Sequence, residues 1–159
     1  MIQKTKMREL DPNIRKRNFE EVAIGYTEEE AIQEAKRCIQ CKNPRCVSGC
    51  PVNVYIPEFI SEVAKGNFEA AHLILLKQNS LPAICGRVCP QETQCEGKCV
   101  VGIKNEPVGI GRLERFVADY YMANIEEKIP KIEKNNIKVG VIGAGPAGLS
   151  CASELGKLG

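Results

Sequence analysis

Apolar side chains in the first 124 residues recur at helical spacing in short stretches, broken by polar, Gly and Pro positions. Residues 1–26 are the exception. There Lys4, Lys6, Arg8 and Arg15-Lys16-Arg17 alternate with acids without a period, so the segment reads as an arm with one short helix, capped by Asp11 with Pro12 in its first position. Thr27-Glu28-Glu29-Glu30 has the form of a capping box. The helix it opens puts Ala31, Ala35, Cys38 and Ile39 on one side. Pro57 starts a further helix that Gly66 is placed to end. Asn67 is placed to cap the next, from Phe68 to about Gln78, whose Phe68, Ala71, Leu73, Leu75 and Leu76 suit burial. Residues 82–99, broken by Pro82, Gly86, Pro90 and Gly97, support only short helical turns. From Val108 to Ala123, the spacing of Ile110, Leu113, Val117, Tyr120 and Tyr121 predicts a longer amphipathic helix. Residues 125–136, charged and containing Pro130, read as a linker.

Beyond the linker the period changes. Ile137–Ile142 (IKVGVI) is an apolar run of strand type, followed at once by Gly143-Ala-Gly145-Pro146-Ala-Gly148 and helical positions to Leu158. Gly-x-Gly-x-x-Gly between a strand and a helix is the setting of the dinucleotide fingerprint. Its glycines allow a tight turn and bring a pyrophosphate close to helix N–H groups, which favour anions. Gly143, Gly145, Pro146 and Gly148 are the candidate contacts. The acidic residue that completes the fingerprint falls about 20 residues further on, past Gly159. One strand and one helix make no parallel sheet, so residues 137–159 are expected to be the first βα unit of a truncated dinucleotide-binding domain.

Composition narrows the class. The chain has 159 residues, 43% hydrophobic and 26% charged, with a formal net charge of +2. That is globular, about one domain's worth, and too near neutral for nucleic acid as the main partner. The basic start has no apolar stretch behind it, and the longest strongly apolar run, Leu73–Leu76, is far short of the ~20 residues a membrane helix needs. The expectation is a cytoplasmic protein with no membrane partner, in a compartment where clustered cysteines hold metal more often than disulfides. His72, the one histidine, sits among apolar neighbours and suits packing rather than catalysis.

Eight of the nine cysteines lie between Cys38 and Cys99. The first block is Cys38-x2-Cys41-x4-Cys46-x3-Cys50-Pro51; the second is Cys85-x3-Cys89-Pro90-x4-Cys95-x3-Cys99. Iron–sulfur cubanes draw three thiolates from one loop and a fourth from elsewhere, and in two-cluster ferredoxins the Cys before Pro serves the other cluster. By that logic Cys38, Cys41 and Cys46 hold one cluster, with Cys99 returning to it, while Cys50 joins Cys89 and Cys95 at the second. Cys85 is the default eighth ligand, although a carboxylate could replace it. Structural zinc, built from closely spaced cysteine pairs, is the competing reading; only the first block begins that way. Cys151 is expected to be a small core residue.

These blocks, with Ile110-Gly-Arg-Leu-Glu114-Arg-Phe and VIGAGPAGLSCA, resemble the N-terminal iron–sulfur domain of the glutamate synthase small (beta) subunit family, shared with dihydropyrimidine dehydrogenase and the large subunit of the NADH-dependent ferredoxin:NADP transhydrogenase. The resemblance runs from about residue 8 to Gly159. It implies a mainly α fold, a helical domain over residues 27–124 with two [4Fe-4S] clusters, then a Rossmann-type FAD unit. It implies Cys38, Cys41, Cys46 and Cys99 as ligands of one cluster, and Cys50, Cys89 and Cys95 as three ligands of the other. Its fourth ligand, a Gln in the pyrimidine enzyme, aligns with Glu114. Seven thiolates and two 2+ cores would bring the formal charge to about −1, with Arg87, Arg112 and Arg115 placed to offset cluster charge. The implied function is electron relay between FAD, reduced by NADPH, and a flavin in a large partner subunit. No residue here is expected to be catalytic, and the chain alone is expected to bind neither FAD nor NADPH tightly. A transhydrogenase or ferredoxin-linked subunit, and a non-redox zinc-stabilised interaction module, are the alternatives.

Overall fold

The computed structural model describes residues 2–126 and 131–159; Pro130 of the expected linker lies outside them. The fold is mainly helical, and the chain divides into two compact units, one ending at Ile125 and one beginning at Glu126.

In the first unit a two-stranded antiparallel hairpin, β1 (Arg8–Glu9) and β2 (Ala23–Gly25), encloses α1 (Pro12–Arg15). Asp11 caps α1 by accepting the Asn13 N–H at 2.8 Å. The expected arm is thus docked rather than free. Thr5 N–H donates to Glu34 at 2.7 Å, and the buried Tyr26 hydroxyl, whose pKa burial pushes up to about 12, donates to the Thr5 carbonyl at 2.8 Å.

α2 (Glu28–Ala35) begins with the full capping box: Thr27 Oγ1 accepts the Glu30 N–H, and Glu30 accepts the Thr27 N–H at 2.7 Å. α4 (Ile56–Ala64) and α5 (Phe68–Leu75) form a helical hairpin. At its turn Gly66 has φ +80°, Gly66 N–H reaches the Val63 carbonyl and Asn67 N–H the Glu62 carbonyl, the paired bonds of a Schellman end. Asn67 does not cap α5 as expected; its side chain donates instead to Glu62 at 2.9 Å. α5 also stops at Leu75, short of Gln78, and Leu73 faces solvent because its neighbours Phe68, Ala71 and Leu75 hold the inward face.

α7 (Ile110–Asn124) runs through the middle of the core, burying Ile110, Leu113, Phe116 and Val117 against Phe59, Ile60, Val63 and Leu75. Phe68 meets Phe116 edge-on, 5.0 Å between ring centres. His72 is buried and stacks on Tyr121 at 3.9 Å, a packing role. α6 (Pro82–Val88) lies across α7 at Gly86, where a Cβ would come within 2.6 Å of the Arg115 backbone nitrogen. That approach is open only to glycine.

In the second unit Gly145 is the N-cap residue of α8 (Pro146–Gly156), as the fingerprint predicts for a helix start. Gly143 has φ +106°, and a Cβ on Gly148 would run into the Gly143 carbonyl oxygen, so both glycines are required by the turn. The strand expected over Ile137–Ile142 is not formed. A strand needs a neighbour's ladder, and among the described residues this unit supplies none. For the same reason Cys151 is exposed, contrary to the expected core position: α8 has no sheet to pack on. No helix among the described residues is long and apolar enough to cross a membrane.

Candidate metal centre

All nine cysteines are free thiols. Cys38, Cys41, Cys46 and Cys99 line a single cavity walled by Ile56, Ile60, Val101, Val108 and Ile110. Four different local devices aim them there. Cys38 follows the last turn of α2, its N–H bonded to Ala35. Gln40 takes φ +49°, a left-handed turn that lets the two-residue gap to Cys41 reverse, and its side-chain amide donates to Cys38 Sγ at 3.4 Å. Cys46 lies in the single turn α3 (Arg45–Ser48), which starts after Pro44. Cys99 is the extended residue between two 3₁₀ turns, Glu96–Lys98 and Val100–Ile103.

The sulfurs are close enough to repel one another as thiolates. Burial, with the neighbouring Cys99 and Cys41, raises the Cys38 pKa against the opposing pull of the Gln40 N–H. Burial, with Cys38 and Cys99, pushes Cys46 up to about 11. These sites are protonated at neutral pH, so binding a cation here releases protons.

The second set gathers beside the first. A Cβ on Gly49 would lie 2.8 Å from the Gln94 carbonyl oxygen, so the two cysteine blocks touch backbone to backbone, and Cys50 falls next to Cys95 and Cys89. α6 ends at Cys89, which is extended ahead of Pro90. Burial and the adjacent Cys85 push Cys89 to about 11; burial, with Glu96 and more weakly Cys50 and Glu114, pushes Cys95 to about 12. Glu114 projects into this group from α7. It is almost fully buried, which raises its pKa to about 7 despite a hydrogen bond from Asn79 at 2.7 Å. Asn79 Oδ1 in turn accepts the Leu81 N–H at 2.9 Å and faces Cys85 Sγ at 3.6 Å. Cys85 and Glu114 are therefore both at the second set, held by one buried amide.

Among the described residues no three Cys, His, Asp or Glu side chains are gathered tightly enough to chelate one ion. A tetrahedral zinc site with Zn–S of about 2.3 Å asks for sulfurs under about 4 Å apart. Thiols arranged around a cavity, with N–H groups at sulfur and apolar walls, fit a polynuclear core.

A buried ionic clamp, not apparent from the sequence pattern, supports the first set. Glu34 and Arg37, with side chains 0% and 1% exposed, pair at 2.6 Å. Glu34 also accepts Thr5 N–H at 2.7 Å and Gly109 N–H at 2.8 Å, while Arg37 donates to the carbonyls of Ile2, Glu106 and Pro107. The clamp joins α2, just before Cys38, to the segment after Cys99. Only a 3-residue spacing of opposite charges in a helix hinted at it.

The arginines expected near the clusters have other partners. Arg87 grips Glu21 and Asp119, and the buried Arg115 pairs with the same two acids. Arg112 donates to the Thr5 carbonyl at 3.3 Å. At the N-terminus Lys4, Arg8 and Arg15 are paired with Glu96, Glu30 and Glu9.

Free thiols in two adjoining sets inside a small helical body define an iron–sulfur protein domain. Residues 15–126 match the family described as dihydropyrimidine dehydrogenase domain II, 4Fe-4S cluster. The chain belongs to this family. It is 40% identical over 146 residues to the glutamate synthase [NADPH] small chain of Halomonas elongata, covering 91% of this chain and 31% of that one. It is 40% identical over 148 residues to the corresponding Escherichia coli protein, covering 92% and 31%. It is 36% identical over 141 residues to the NAD-dependent dihydropyrimidine dehydrogenase subunit PreT homolog of Salmonella typhi, covering 89% and 34%. The chain thus spans about a third of the length of these relatives.

Proposed function

We propose that residues 27–124 hold two [4Fe-4S] clusters, one on Cys38, Cys41, Cys46 and Cys99, the other on Cys50, Cys89, Cys95 and Glu114, as the electron-transfer module of an NAD(P)H-dependent flavoprotein. The observation that carries this reading is the convergence of four free thiols from both cysteine blocks on one apolar cavity. Such clusters supply one-electron transfer at a potential set by ligand, hydrogen bonds and burial. The polypeptide contributes deprotonable donors, N–H groups of Gln40, Val47 and Glu96 directed at Cys38, Cys46 and Cys95, and aliphatic walls around the first set.

The small chain of glutamate synthase is the favoured parent, with FAD and NADPH as cofactors of the whole protein and a large flavin-containing subunit as partner. Gly143, Gly145, Pro146 and Gly148 are the proposed first contacts of the flavin nucleotide. Nothing lies within 4 Å of where a Cβ would sit on Gly143 or Gly145, which leaves the approach to the start of α8 open at those two positions. The second reading, a subunit of a dihydropyrimidine dehydrogenase or another ferredoxin-linked oxidoreductase, is favoured by the Salmonella typhi relative.

Anaerobic purification with iron, sulfide and EPR analysis tests the proposal. About eight irons and eight sulfides per chain are expected; zinc without sulfide refutes it. Glu114→Ala is expected to change one EPR signal and leave the other, whereas Cys85→Ala leaves both. The reverse pattern assigns Cys85 as the eighth ligand.

A further inference from the structure

We infer that the face built from residues 39–46 and 98–105 is a docking surface for an acidic protein that carries a redox centre. The inference rests on the cluster reading above and adds where the partner sits and what recognises it.

The first thiol set opens to solvent here: Cys38, Cys41, Cys46 and Cys99 are each partly exposed. Three depressions adjoin at this opening. The thiol cavity shares Arg45 and Cys99 with a second hollow, also lined by Lys98 and Ile103, and shares Ile39 and Val100 with a third that reaches Lys104. At their junction Ile39 is 56% and Ile103 70% exposed. A continuous apolar floor at the mouth of a metal site has no use in water; it suits a partner's contact.

Charge names the partner's chemistry. Besides the buried Arg37, residues 35–57 and 97–105 contain Lys36, Lys42, Arg45, Lys98 and Lys104, all exposed, and no Asp or Glu at all. None of the five pairs with a carboxylate among the described residues. Of the carboxylates bordering this face, Glu96 in the second hollow is buried and already takes Lys4 and the Gly111 N–H, while Glu106, the residue after the second stretch, is exposed. Lys4, Arg8 and Arg15 of the N-terminal segment and Arg87 and Arg115 of the α6–α7 surface are, by contrast, held in ion pairs. Unpaired cations beside an apolar floor, with Arg45, Lys98 and Lys104 lining the depressions themselves, steer and orient an acidic surface. The chain as a whole is near neutral, at +2. Attraction to an acidic protein would therefore be local, acting from a patch such as this one within a Debye length of about 8 Å.

The test uses the full chain, with iron and sulfide measured in each sample, and two probes: an acidic plant-type [2Fe-2S] ferredoxin and basic cytochrome c. The ferredoxin is expected to bind at low salt and to weaken tenfold or more as salt rises, consistent with the roughly 10- to 1,000-fold range of electrostatic steering. Cytochrome c should not bind. Lys42→Glu with Lys104→Glu is expected to weaken ferredoxin binding about tenfold while iron content holds; Lys16→Glu with Lys77→Glu should leave it unchanged. Iron-loaded protein that ignores the ferredoxin, or responds equally to both reversals, overturns the docking surface and leaves the cluster reading standing. Iron-free protein overturns the cluster reading, and with it the redox identity of the partner.

Discussion

Glu34→Ala is the sharpest test of how the first thiol set is held. Among the described residues, the substitution removes the one carboxylate paired with Arg37, whose side chain is 1% exposed, and strips acceptors from the N–H groups of Thr5 and Gly109. Breaking one side of a buried ion pair costs about 3–5 kcal/mol, because the remaining charge stays out of water. The Gly109 N–H bond is itself buried, and orphaning such a donor adds about 1–3 kcal/mol. A loss of at least about 4 kcal/mol is expected, a large share of the 5–15 kcal/mol typical of a domain. Anaerobic denaturant titration measures it, with far-UV circular dichroism following the helices and visible absorbance following bound iron. Arg37 also serves the Ile2, Glu106 and Pro107 carbonyls, so Glu34→Leu with Arg37→Leu should recover only part of the loss. A Glu34→Ala protein within about 1 kcal/mol of the parent would mean that the pair is solvated in solution and the clamp does not exist.

Other outcomes follow from the same contacts. In iron-free protein Glu114, raised to about 7 by burial from an ordinary 4.5, binds its proton more tightly when folded. Its contribution is therefore present in full below pH 4.5 and lost as pH rises through about 7, some 3 kcal/mol in all. The difference between parent and Glu114→Gln across that range measures it, and a flat difference refutes the buried placement. Gly86→Ala forces a methyl into the Arg115 backbone, separates α6 from α7 and should cost about 1–3 kcal/mol, with iron lost from the Cys89 side first on chelator titration. Arg87→Ala leaves Glu21 and Asp119 to Arg115 alone at a partly exposed site; a loss of about 1 kcal/mol that shrinks with salt is expected from thermal melts.

What could be read from the chain was local. The Thr27 capping box, the Gly66 helix end and the inward face of α7 are each written within a few consecutive residues, and each formed where the pattern placed it. The convergence of the cysteine blocks was legible because ligand chemistry leaves a spacing that survives in one dimension. The pairing of Glu34 with Gly109, 75 residues apart, has no such trace, since any surface helix carries glutamates. The hairpin of Arg8–Glu9 with Ala23–Gly25 was equally hidden: strands of two and three residues are too short to alternate, and the register is irregular. Ile137–Ile142 erred in the other direction. An apolar run specifies a strand only when a neighbour offers a ladder, and the described residues offer none.

The single turn α3 has a thermodynamic consequence. Cys46, within it, lines the first cavity, and Cys50, two residues past its end, faces Cys89 and Cys95. On the proposed two-cluster reading, whichever set captures iron first would freeze this short bridge and deliver the next donor already in place, so the second capture would meet less ordering entropy than the first. Under scarce iron the population should split into empty and fully loaded chains, with few that are half filled.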